Sequence, residues 1–317
     1  MYTIKEASLR SGIGIPLLRA WERRYGVVVP SRSDAGYRLY DDAAIDRLRA
    51  MRHLIGEGWS ARQAADRVRS ATGRELAELA APQPAGVADA DQVGIDGGVA
   101  EQLIARLVDA ARRIDGKALE SALDETFSTS RFEVAMDRVV MPAMRAIGEG
   151  WERGEVDIAG EHAASHAVLR RLAMAYEGAG DPSAERPILI GLGPGSHHEL
   201  GAFAFAIAAR RAGLSVLYLG PDLPVDSWVA AAETRAARAA VLGAPSVVDA
   251  RRAGDVIRAL RAARPEMTLA VGGSESGRVS RATGALDLPP GAISEAVAAL
   301  GSALREGAPP AAEPTSG

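Results

Sequence analysis

A chain of 317 residues, 47% hydrophobic and 25% charged, is long enough for two or three globular domains. It has no cysteine, which excludes disulfides, thiolate metal sites and cysteine nucleophiles, and no apolar run approaches the roughly 18 residues of a membrane span. The net charge of -4 averages over unlike parts: residues 1–74 carry 14 Lys and Arg against 8 Asp and Glu, so the remainder is acidic. That asymmetry points to nucleic acid at the basic end. With no signal-peptide pattern at the N-terminus, the expected location is cytoplasmic, with no membrane partner.

Apolar spacing predicts two short helices, Ile4 to Ser11 and Ile15 to Arg24, joined by Gly12-Ile13-Gly14, a turn rich in the residue that tolerates positive φ. The following PSRSDAGYRLY reads as a hairpin that turns at Asp34-Ala35-Gly36 and returns through Tyr37 and Arg38. Asp41 or Asp42 then caps a further helix. A helix bearing Arg19, Arg23 and Arg24 can enter the major groove, while a wing bearing Arg32, Tyr37 and Arg38 reaches flanking phosphates. The charges alone fit a small helical domain with solvated arginines equally well. The string TIKEAS, LRAWERRYG and P-x-R-x-x-x-GYRLY, however, resembles the MerR-family winged helix-turn-helix over residues 2–41. The resemblance implies that Arg19, Arg23, Arg24, Tyr25, Tyr37 and Arg38 contact double-stranded promoter DNA, with Trp21 either core or contact. It also implies a homodimer or higher homo-oligomer on near-palindromic sites.

The DNA-binding domain is expected over residues 1–74 and a linker over 75–98, its clearest part the Pro-, Gly- and Asp-rich stretch from Ala80 to Gly98. Residues 99–180 read as four helices with short connections, a small antiparallel bundle. A second break runs from Gly178 to Pro187. From 187 to 305 four apolar runs ending in or next to glycine, at Ile188–Gly193, Leu214–Gly220, Ala239–Ala244 and Thr268–Gly273, alternate with helical stretches. That alternation predicts a doubly wound parallel sheet of the flavodoxin-like, Rossmann type, with ligands at the carboxyl ends of its strands. Residues 306–317 read as a disordered tail. The fold class is thus multidomain, α followed by α/β.

SHHELG, Ser196 to Gly201, follows the first of these strands and opens a helix. A surface histidine pair is one reading of it. The order of elements is also similar to the cobalamin-binding signature Asp-x-His-x-x-Gly, Ser-x-Leu, Gly-Gly. His198 and Gly201 match the first element, Gly272 and Gly273 the last, and Leu219 to Pro224 resembles the family's Leu-Gly-x-Asp-x-Pro. On this resemblance His198 is the lower axial ligand of cobalt, with His197 the fallback. Two positions depart: Ser196 stands where the family has the Asp that orients the histidine, and Gly243-Ala244-Pro245 replaces Ser-x-Leu unless Ser246 supplies the hydroxyl.

In the bundle, Trp151 is followed by nine residues and then Glu161-His162. This resembles the Trp-x(9)-Glu-His motif of CarH/LitR-type photoreceptors, which implies that Trp151, Glu161 and His162 line the upper face of adenosylcobalamin. Taken singly, Trp151 reads as bundle core and Glu161 as a solvated helix residue. Glu152 stands where some members have a histidine, which leaves His162 and His166 as replacements. Three functions follow in order: a cobalamin-controlled, light-responsive regulator, expected to repress; a MerR-type regulator whose cobalamin fold has lost its cofactor and answers to a regulatory protein partner; and a corrinoid-dependent enzyme, disfavoured by the DNA-binding head.

Overall fold

The computed structural model describes residues 1–33, 36–81, 95–180, 186–288 and 290–306, which form two compact units, Met1–Gly180 and Asp181–Gly317. Most of the expected linker, the turn residues Asp34 and Ala35, much of the second break and nearly all of the expected tail lie outside the described residues.

The first unit begins with β1 (Tyr2–Thr3), α1 (Ile4–Ser11), α2 (Ile15–Tyr25), β2 (Ser31–Arg32), β3 (Arg38–Tyr40) and α3 (Asp42–Gly56). Thr3 and Glu6 close a capping box at the start of α1, and Gly12 ends that helix in the left-handed region at φ 69°. β3 pairs antiparallel with both β2 and β1, so the wing expected with two strands is a three-stranded sheet. Tyr2–Thr3 is too short to show an alternating pattern in sequence. Trp21 is buried in the head's core with Leu18, Tyr40, Leu48 and Met51. That position is packing rather than contact.

Helices α4 (Ala61–Ser70) and α5 (Gly73–Ala80) complete the head. The linker expected from residue 75 begins later: Thr72 and Glu75 cap α5, and Leu76 is buried in the head's core. An eight-residue Ala-rich helix beside a Pro-rich stretch carries too little period to read.

The bundle comprises α6 (Gly97–Arg112), α7 (Gly116–Thr129), α8 (Phe132–Ala135), a π-helical segment (Met136–Val140), α9 (Met141–Glu152) and α10 (Ile158–Ala179). α8, the π segment and α9 are one continuous helix, giving the four helices expected. Pro142 sits in the first turn of α9 and has no N–H to donate to a preceding carbonyl, and the π turn occurs directly before it.

Head and bundle do not fold apart. α3 packs on α10 at two facing glycines: a Cβ added to Gly178 would lie 2.5 Å from the Gly56 main-chain nitrogen. Beside them Arg52 donates to the carbonyls of Gly178 at 3.2 Å and Ser11 at 3.2 Å. Arg171 of α10, 3% exposed, donates to the Gly58 carbonyl at 3.1 Å and pairs with Asp124 at 2.7 Å. Gly178→Ala is therefore expected to destabilise this unit by about 1–3 kcal/mol, the usual cost of overpacking. Urea unfolding of the full chain checks it.

The second unit is a five-stranded parallel sheet in the order β5-β4-β6-β7-β8: β4 (Ile188–Gly191), β5 (Val216–Gly220), β6 (Ala239–Gly243), β7 (Thr268–Gly272) and β8 (Leu286–Asp287). Counted from its own first strand this is 2-1-3-4-5, the flavodoxin-like order, with its switch point at β4/β6. α11 (Leu200–Arg211), α12 (Val225–Thr234), α13 (Val247–Ala263) and α14 (Ser276–Thr283) provide the crossovers, and α15 (Ile293–Glu306) closes the unit. α13 starts at Val247 because Ser246 caps it by accepting from the Asp249 N–H. β8 has two residues and could not be read as a run.

Candidate functional site

On the head, Arg19, Arg23 and Arg38 line a surface hollow of about 330 Å³. α2 presents Arg19, Arg23 and Arg24 to solvent because Leu18 and Trp21 claim its other face. Arg24 lies 5.6 Å from the centre of the Tyr25 ring. On the wing Tyr37 is exposed, and Arg32 donates to the Gly36 carbonyl at 3.2 Å. Glu22, which no sequence motif singles out, ties helix to wing. It accepts from Arg38 Nε at 3.0 Å and from the Tyr40 hydroxyl at 3.2 Å. Burial and then the Glu22 carboxylate push the Tyr40 phenol up to about 12, so it stays a donor at any physiological pH. Arg38 is thus half committed to an internal pair while it still borders the hollow.

If this face grips phosphates, Arg23→Ala weakens binding to all sequences and flattens the salt dependence, by about 0.9 in log–log slope for each phosphate no longer neutralised. Glu22→Gln, which leaves every candidate DNA-binding side chain in place, is expected to weaken affinity by about 1 kcal/mol, the worth of one charge-assisted hydrogen bond. Mobility-shift assays across a salt series read both effects.

In the bundle, Trp151 lies in the last turn of α9, and Glu161 and His162 in the first turn of α10, at one end of the same helical hairpin. Trp151 is 48% exposed rather than core. A tryptophan held half in water is a poor use of apolar surface unless something covers it. Glu161 is fixed on both oxygens: it accepts from Ser165 Oγ at 2.5 Å and faces His162 Nδ1 at 2.6 Å. His166 stands edge-on to His162, ring centres 6.4 Å apart.

In the second unit the Gly193–Glu199 loop leaves β4 at the carboxyl rim. Asp222, in the loop after β5, accepts from the Gly195 N–H at 2.5 Å and donates its own N–H to the Ser196 carbonyl at 3.0 Å. Arg252 of α13 holds the Gly195 carbonyl at 2.6 Å. The loop so clamped buries Ser196 and leaves His198 exposed on the rim, with Gly201 in the first turn of α11.

Beneath His198 lies a carboxylate that sequence reasoning missed. Asp249, 3% exposed, accepts from Ser196 Oγ and, at 2.5 Å, from Ser246 Oγ, and its Oδ2 is 3.9 Å from His198 Nδ1. Burial works to raise the Asp249 carboxyl, but the Ser196 and Ser246 hydrogen bonds, with His198 and Arg252 nearby, hold it below the ordinary value. Ser246 is thus turned to Asp249 and caps α13. Gly243 and Gly272 end the neighbouring strands β6 and β7. Gly273 adopts φ 106°, where a Cβ would lie 2.7 Å from the Ala244 carbonyl oxygen. Both its conformation and the close approach of the Ala244 main chain hold that position to glycine.

A family model described as MerR HTH family regulatory protein matches residues 2–71, and one described as B12 binding domain matches residues 103–176, the helical bundle. The HTH-type transcriptional repressor CarH of Myxococcus xanthus is 31% identical over 225 residues, 71% of this chain and 72% of the repressor. The repressor CarA of the same organism is 29% identical over 70% of this chain and 68% of its own length. Among solved structures, the monomethylamine corrinoid protein of Methanosarcina barkeri aligns with 65% of this chain and 99% of its own at a TM-score of 0.48 and 16% identity. The chain joins a MerR-type helix-turn-helix to a B12-binding domain, the make-up of a transcriptional regulator. It belongs to the CarH family of repressors. Among the described residues no helix is long and apolar enough to cross a membrane.

Proposed function

We propose that this protein is a repressor that binds promoter DNA as a homo-oligomer and releases it in response to light sensed by adenosylcobalamin. The observation that carries the reading is the carboxyl rim of the sheet: an exposed His198 whose Nδ1 faces a buried carboxylate at 3.9 Å. A histidine that offers one nitrogen to a carboxylate presents the other to a metal. The residues present therefore fit a corrinoid. In the second unit His198 would hold the cobalt, with Gly201, Gly243, Gly272 and Gly273 as further cofactor-binding positions; in the bundle, Trp151, Glu161 and His162 are the residues offered to the adenosyl group. When bound, adenosylcobalamin supplies a cobalt–carbon bond that light breaks.

The chain's own part is to orient, enclose and report. Trp151 offers an apolar face that excludes water, and Glu161, fixed by Ser165 and His162, offers a preset acceptor for a hydroxyl donor such as a ribose. Arg19, Arg23, Arg24, Tyr25, Arg32, Tyr37 and Arg38 form the DNA face. The test is spectroscopic: protein loaded with adenosylcobalamin and desalted in the dark should stay red, and its absorption should change on green illumination.

A second reading, a regulator without cofactor that answers to a protein partner, is favoured by Ser196 and Gly243, where two groups of the cobalamin signature are missing. Colourless protein after loading would establish it instead.

A further inference from the structure

The loop that carries His198 has serine where an orienting carboxylate is expected, yet a carboxylate is there. It comes from 53 residues further along the chain, from the first turn of α13. We infer that Asp249 is the positioning residue for His198, reaching it directly and through Ser196, so that the orienting carboxylate has moved from the loop after β4 to the helix after β6. This rests on the reading of His198 as the cobalt ligand.

Three observations carry it. First, the two oxygens are divided: Oδ1 takes the Ser196 hydroxyl, and Oδ2 takes Ser246 at 2.5 Å while facing His198 Nδ1 at 3.9 Å. A carboxylate that served only to cap α13 would need Ser246 alone. Second, Asp249 is 3% exposed and Ser196 1%, whereas the His198 side chain is 78% exposed. A fixed, buried acceptor thus faces an exposed ring whose Nδ1, at 3.9 Å, stands just beyond hydrogen-bond length. Third, the loop cannot drift from the carboxylate. Arg252, one turn along α13 from Asp249, grips the Gly195 carbonyl at 2.6 Å and lies 3.6 Å from Asp249 Oδ1. Held in this way, His198 donates from Nδ1 and keeps Nε2 as its basic nitrogen.

The experiment uses the full-length protein, grown with ¹⁵N-histidine, loaded with cob(II)alamin in the dark and read by electron paramagnetic resonance. In the wild type, histidine on cobalt gives doublet splittings in place of the triplets of unlabelled nitrogen. Asp249→Asn is expected to weaken cobalamin binding by about 10–100-fold and to lose the doublets. Adding Ser196→Asp to Asp249→Asn, which restores a carboxylate in the loop, should bring them back. Ser246→Ala breaks the α13 cap but not the relay, so it should lower the melting temperature and keep the doublets. Should Asp249→Asn not fold, Ser196→Ala alone is expected to reduce affinity several-fold and the doublet fraction with it.

Doublets and affinity unchanged in Asp249→Asn, or in Ser196→Ala where that variant stands in, overturn the inference while His198 remains the ligand. Triplets in the labelled wild type, from the cofactor's own base, overturn the ligand reading and the inference with it.

Discussion

His198→Ala protein is expected to lose cobalamin on desalting, with affinity reduced more than about 100-fold, since removing a group that merely orients a metal ligand already costs about 10–100-fold. The fold should survive, because the side chain is 78% exposed and the loop is held by Asp222, Arg252 and Asp249 through main chain and Ser196 rather than through the imidazole. Far-UV circular dichroism and melting temperature should therefore match the wild type, while the absorption of the desalted protein falls to baseline. His197→Ala, one residue away on the same exposed loop, should bind normally. Full loading of His198→Ala with an unchanged spectrum would sink the assignment, and loss of binding in His197→Ala instead would move it by one residue.

Why His198 was legible in sequence and Asp249 was not has a physical answer. The histidine belongs to a local pattern: a buried apolar strand ends in glycine, and a helix opens a short loop later, so the rim position follows from periodicity. Asp249 meets Ser196 only when β6 has been laid beside β4 and α13 has turned back over the sheet. Nothing in the sequence near Asp249 distinguishes it from an acidic residue in the first turn of any helix, which is favourable for capping alone. Glu22 is the same case. It sits inside LRAWERRYG among arginines and reads as a solvated charge, while its partners Arg38 and Tyr40 lie beyond the wing's turn. Charged residues that work by pairing across the chain are the ones a linear reading misses.

Arg171 shows the same limit in packing. An arginine in an Ala-rich helix is expected in water, yet it is buried against Phe127, with Gly58 and Asp124 as partners, because α3 and α10 cross at glycines close enough to shut out solvent. The reading of the sequence located both helices, α3 by its Asp41 or Asp42 cap, and left their partners unspecified. The consequence is functional: the DNA-binding head and the bundle form a single unit, not beads on a linker. α10 thus runs from Glu161 near one end to the contact with the head at Gly178 and Arg52 at the other.

That continuity sets the expectation for light. Loaded with adenosylcobalamin and kept dark, the protein is expected to run as a higher oligomer in size-exclusion chromatography with mass measurement and to bind operator DNA tightly. After green light the mass should fall and the operator affinity with it. The physical basis is differential: a ligand shifts an equilibrium only by the difference in its affinity for the two states, so Trp151, Glu161 and His162 must meet the upper group in the dark state alone. The demand is modest. A hundredfold change in operator affinity needs about 2.8 kcal/mol, two tenfold steps of about 1.4 kcal/mol each. Covering a half-exposed tryptophan supplies free energy on that scale, and linked DNA heads multiply its effect through effective concentration. Trp151→Ala separates the switch from the cofactor: it should retain cobalamin through His198, yet show one mass and one operator affinity in dark and light. Equal mass and equal DNA affinity in dark and lit wild type would rule out the light switch and leave a regulator controlled by a partner. A light response preserved in Trp151→Ala would place the sensing residue elsewhere in the bundle.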